Sequence, residues 1–280
     1  SRRGGDHFPY SEREIKHRNV LFSFTEAIHE QKTYYIRFET SDPMILSLTM
    51  WSPSAFLEKT TYEYIVLGLY YGIILVMILY NLLLYLSIRD ISYLNYILFI
   101  FGMMTLYLTL DGISFQYLPF DLGFWMNHNV SSIVYFTTVW IFQFTRSFLN
   151  ITRQDSTLYK IILFFTFLGL SGFLVSLFIT NYIIMHSAAV FVMITAGVAI
   201  TAGFLRFKKG YRPARYFLIA WSTFVIGIIV FALRAFGLLS DNIFTHHTMK
   251  LGSAIEIIFL SLALADRINI MKREKENAQA

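Results

Sequence analysis

The stretch YIVLGLYYGIILVMILYNLLLYLS, Tyr64 to Ser87, decides the fold. It runs without a single Asp, Glu, Lys or Arg. As a helix rising ~1.5 Å per residue it reaches about 36 Å, enough to cross the ~30 Å hydrocarbon core of a bilayer. Six more apolar runs follow, at about 93–111, 129–149, 158–179, 183–205, 214–236 and 249–267. Only Thr180-Asn181-Tyr182 divides the fourth from the fifth. The chain therefore reads as an all-α membrane protein, a seven-transmembrane helix bundle.

Composition agrees. Of 280 residues, 56% are hydrophobic and only 15% charged, against about 25% charged in soluble domains. The net charge of +5 does not indicate nucleic acid, because the cations fall in short loops between apolar runs, where topology requires them. Arg89 follows the first run; Arg146, Arg153 and Lys160 lie between the third and fourth. Arg206, Lys208, Lys209, Arg212 and Arg215 lie between the fifth and sixth, and Arg267, Lys272, Arg273 and Lys275 follow the seventh. The alternate loops carry almost none. The positive-inside rule then predicts a cytoplasmic C-terminus and an extracytoplasmic N-terminus in a cell inner membrane. Seven spans fit that parity.

Residues 1–60 are polar and mixed. VLFSF (20–24), YYIRFET (34–40) and ILSLTMW (45–51) alternate with period two, and Asp42-Pro43 suggests a turn. Three strands are too few to stand alone, so they predict the last strands of an extracytoplasmic β-sandwich. The expected organisation is 1–60 for that unit, 61–267 for the bundle and 268–280 for the start of a cytoplasmic helix. Ser1 in place of Met, ahead of strands already under way, predicts a section of a longer protein. DRINIMKREKENAQA (266–280) is rich in helix formers, so the seventh helix is expected to continue unbroken out of the membrane.

No catalytic motif is present, and no cysteine. No enzyme activity, cofactor or metal is expected within these residues. His246-His247 reads as a solvated outer loop. His186 reads as a buried, hydrogen-bonded histidine near the outer end of the fifth helix. Glu256 is the anomaly, a carboxylate in an apolar run sharing a face with Gly252, Phe259 and Ala263. A charge at a helix centre costs ~2.5–3.5 kcal/mol on insertion scales, so it should face protein or water. We expect it to pair with Arg234 of the sixth helix. Asp111, ending the second helix, is expected to cap that helix or line an outer pocket. Asn81 is expected to bond a neighbouring helix backbone. Gly68 and Gly72, and Thr195, Ala199 and Gly203, are in register for close helix packing within or between chains, and a homodimer is compatible with them.

Four stretches resemble one family: LGLYYGIILVMILYNLLLYLSIRDISYLNYILF (67–99), FTRSFLN (144–150), RPARYFLIAW (212–221) and GSAIEIIFLSLALADRI (252–268). Their order and spacing resemble the bacterial seven-transmembrane receptors with diverse intracellular signalling modules. YYIRFETSDPMILSLTMWSPSAF (34–56) is similar to the close of that family's extracytoplasmic jelly-roll domain. The resemblance implies a sensor. A small-molecule or carbohydrate-like ligand binds outside, the bundle relays the event, and a cytoplasmic effector in the same full-length chain responds. Family outputs include histidine kinases, cyclases and phosphatases. The alternative from the residues alone is a small-solute or ion transporter or channel, motivated by Glu256, Arg234 and Asp111, with the lack of internal repeats against it.

Overall fold

The computed structural model describes residues 2–5, 7–24, 32–39, 48–179, 181–235, 238–240 and 243–279. Seven long helices form the bundle: α1 (Pro53–Ile88), α2 (Ile91–Leu110), α5 (Val130–Phe148), α6 (Ser156–Ser176), α7 (Tyr182–Lys208), α8 (Ala214–Ala235) and α9 (Ile243–Gln279). Two short helices, α3 (Ile113–Tyr117) and α4 (Phe120–His128), occupy the aromatic loop between α2 and α5.

Local chemistry sets the boundaries. The Ser52 hydroxyl accepts from the Ala55 N–H and Pro53 occupies the first turn, which together start α1. Arg89 takes a left-handed φ of 60° and closes α1 on the Tyr85 carbonyl, after which the Asp90 carboxylate caps α2 through the Ser92 N–H. Asn181 caps α7, resolving the narrow boundary between the fourth and fifth runs.

Among the described residues, five helices are long and apolar enough to cross a membrane by length and composition: α1, α2, α6, α7 and the His247–Ile268 part of α9. The described apolar stretch of α8 is Ala214–Val230. α5 packs against α2, α6 and α7. Its neighbours take the lipid contact, so it can carry Ser132, Thr137, Thr138 and Thr145 facing protein. The core around it is aromatic. Phe99 stacks near Phe144, Phe142 on Phe165, and Phe148 on Phe217 of α8.

α8 and α9 share the broadest contact. They cross at Gly227 and Gly252. A Cβ on Gly227 would lie 3.0 Å from the Thr248 carbonyl oxygen, and one on Gly252 would lie 3.2 Å from that of Thr223. The Thr195–Ala199–Gly203 stripe is packed inside the bundle as expected, with Gly203 against Phe217 and Leu218. Gly68 and Gly72 make no close helix contact within the chain. Both are exposed, and a Cβ on either would meet nothing within 4 Å.

The expected strands do not form among the described residues. Residues 20–24, 32–39 and 48–50 have no regular structure, and 25–31 and 40–47 lie outside the described set. A strand's backbone groups need a neighbouring strand, and alternation alone does not supply one. The segment 53–60, expected to belong to the outer unit, is instead the first turns of α1. At 36 residues, α1 is about 54 Å long, well beyond the bilayer core. His246 and His247 lie in the first turns of α9 rather than in a loop.

Candidate functional site

α9 carries a polar seam that faces α1 and α2 along its length. Lys250, Ser253, Ile257 and Ser261 recur at spacings of three and four, which places them on one helix face. Each level is tied to a partner.

The first level lies at the face where residues 7–24 dock. The Lys250 ammonium donates to Asp111 Oδ1 at 2.8 Å, and the Tyr71 hydroxyl donates to Oδ2 at 2.7 Å. Arg18 donates to the Asp111 carbonyl at 3.2 Å and to Glu63 Oε2 at 2.6 Å. Lys59 also pairs with Glu63. The side chains of the Arg18–Glu63 and Lys250–Asp111 pairs are all less than one-fifth exposed. They are therefore shielded more than the surface pairs that contribute only ~0–1 kcal/mol. Asp111 is the C-cap residue of α2, as its position suggested, and it is also the junction of the site.

One turn deeper, the Tyr70 hydroxyl and Ser253 Oγ are 2.9 Å apart. Tyr107 meets the Tyr70 ring edge-on. Below them the Tyr96 hydroxyl donates to the Ile257 carbonyl. Asn81 donates to Ser261 Oγ at 3.0 Å and to the Met77 carbonyl of its own helix at 2.7 Å, while the Ser261 hydroxyl can return a bond to Asn81 Oδ1. The expected bond from Asn81 to a neighbouring backbone is thus replaced by one to a neighbouring hydroxyl. At the opposite face Arg267 donates to Ser92 Oγ at 2.6 Å and lies 3.7 Å from Asp90.

Glu256 sits between this seam and the Gly252 crossing. It is fully buried, and neither carboxyl oxygen has a hydrogen-bond partner. The expected pair with Arg234 does not form. Gly227 meets Gly252, and the two helices are antiparallel. Arg234 lies seven residues toward one face and Glu256 four residues toward the other, a separation of roughly 16 Å along the axes. The two helices are adjacent as expected, but their register puts these charges at different depths.

His186 lies apart from the seam. It is exposed rather than buried, its Nδ1 is 2.9 Å from the Tyr182 carbonyl, and its ring lies over Tyr182. Arg18, Ser253 and Ser261 carry no mark in the sequence, and Arg267 is marked there only as a topology cation. Serines are common in membrane helices and mark no site alone. Arg18 and Asp111 are joined only by the fold.

A second cluster braces the opposite face. Asp155 accepts from Lys209 at 2.7 Å and Arg206 at 3.2 Å, and Arg206 also reaches the Leu149 and Asn150 carbonyls. The Lys209 hydrogen bond, with help from Arg206, holds the Asp155 carboxyl below the usual aspartate range.

The chain is thus a helical membrane core with a docked N-terminal segment and a polar seam on its last helix. The family model described as 7TM diverse intracellular signalling matches residues 63–267, and the one described as 7TMR-DISM extracellular 2 matches residues 1–52. The first match covers most of the chain, and the protein belongs to this family of multi-pass membrane signalling receptors. No match was found among curated proteins or solved structures.

Proposed function

We propose that the chain relays an extracytoplasmic signal, from a carbohydrate-like or other small ligand, to a cytoplasmic effector in the full-length receptor. The N-terminus lies outside the bacterial inner membrane and the C-terminus inside. Catalysis, where the receptor has any, belongs to the effector. One observation carries the reading. Arg18 of the docked segment contacts Glu63 and Asp111, and Asp111 holds Lys250 at the head of α9. α9 then runs as one helix to Gln279, 37 residues in all. A shift of the docked segment acts on Asp111, and a continuous helix transmits the response as a rigid element. Ligand binding outside favours one of two packings through its differential affinity for them.

The test uses the full-length receptor in its own membrane. Lys250→Met is expected to change effector output in the absence of ligand and to blunt its response to cell-envelope sugars, at unchanged expression. Unchanged output in both conditions removes the Asp111–Lys250 contact from the relay. Ion or solute flux through the purified chain in liposomes, abolished by Glu256→Gln, would instead support transport.

A further inference from the structure

A cavity of about 530 Å³ lies between α5, α6 and α7, away from the seam. That volume falls within the ~300–1,000 Å³ of ordinary ligand sites. Its floor is aromatic, formed by the nearly buried Tyr135 and Phe191. Its walls are Leu168 and Val175 of α6 and Val190 and Ile194 of α7, all more than one-third exposed. Two glycines let α6 lie against the floor. A Cβ on Gly172 would come within 2.6 Å of the Tyr135 ring, and one on Gly169 within 3.0 Å of Phe191. The interior polar atoms satisfy each other, because the Tyr135 and Ser187 hydroxyls are 2.9 Å apart. His186 stands at one end.

Depth identifies the occupant. Asn181 caps α7 at the membrane face where residues 7–24 dock, and Ile184 and His186 follow within the first two turns. From Ile184 to Ile194 the groove runs ten residues down α7, about 15 Å. Half the ~30 Å hydrocarbon core is the same length. The groove thus starts near the headgroup level, ends near the midplane, and is open and apolar between. We propose that it is a lipid site, holding one acyl chain of a phospholipid of that leaflet, with the headgroup beside His186 and Ser187.

The purified chain is reconstituted in nanodiscs of phosphatidylethanolamine and phosphatidylglycerol doped with a phosphatidylcholine bearing a diazirine midway along one acyl chain. Photolabelled residues are mapped by mass spectrometry. The control is the lipid-facing surface of α1, where Leu69, Val76 and Leu83 are each more than 60% exposed. Severalfold more label per exposed residue is expected at Leu168, Val190 and Ile194 than on α1. Val190→Trp, a substitution at an exposed position, is expected to abolish the groove label and leave the α1 label unchanged. Equal labelling per exposed residue, or a groove label that survives Val190→Trp, overturns the proposal. The chain has no cysteine, so Val190→Cys adds a clean arm. Disulfide-linked dimers through Cys at this position, with the groove protected from label, would assign it to a second copy and overturn the lipid reading.

Discussion

Two carboxyl groups in the same bundle have opposite surroundings. Asp111 accepts from Lys250 and Tyr71, while Glu256 is buried with both oxygens unpartnered. A buried polar group left unsatisfied costs ~1–3 kcal/mol. Glu256→Leu should therefore raise the unfolding free energy of the purified chain by about 1–3 kcal/mol, read as a rise in Tm in the same detergent. A fall in Tm would show that the carboxyl is engaged. Retaining a costly group inside a membrane helix points to use rather than stability, so Glu256→Gln should alter the ligand-free output of the full-length receptor. The sequence identifies Glu256 and Asp111 as residues of interest because their polarity conflicts with apolar surroundings. It misassigns the partner of Glu256 because depth depends on the α8–α9 register, which is set by the Gly227–Gly252 contact rather than by distance from the helix ends. Asp111 and Lys250 are 139 residues apart in the chain, and nothing local connects them.

At the scale of elements, the seven spans are legible because an apolar run of about 20 residues has one reading in a bilayer. The period-two stretches are less informative, since alternation specifies a strand only beside a partner strand. Close packing is legible only in part. Glycines on α1 face outward, whereas Gly227 and Gly252 bring α8 and α9 close together, and of these two only Gly252 stands out in the sequence, on the face of Glu256. Gly227→Val should cost ~1–3 kcal/mol through overpacking, seen as a lower Tm, whereas Gly68→Val should leave Tm within error. The docked segment carries its own pH dependence. His17 is buried against Phe56 and Tyr64, and burial, with the charge of Arg18, holds its pKa below the usual histidine value. A folded value below the unfolded one means that the full docking stability is present above about pH 6.5. It is lost as pH falls through the folded value. The protection factors of amides in residues 7–24, taken against the intrinsic exchange rate at each pH, should fall on acidification through that range, and His17→Phe should remove the fall.

Across the whole molecule, α9 is held at both membrane faces and at three levels between them, Ser253, Ile257 and Ser261. Lys250 and Arg267 are 17 residues apart, about 26 Å along the helix. Contacts at such separation add independently unless one element carries both. α9 is such an element, since it is unbroken from Ile243 to Gln279. Releasing its head should therefore change its packing at the far end, where Arg267 meets Ser92 and Asp90. Spin labels at Ile91→Cys and Asp266→Cys report the α2–α9 distance there without background, because the native chain has no cysteine. In nanodiscs, Lys250→Met should add a second distance population to that of the parent. Asp111→Asn should add the same one, since it weakens the same contact from the other side. A distribution unchanged by both substitutions would confine the Asp111–Lys250 pair to local bracing, and the signal would then have to leave the docked segment by another helix.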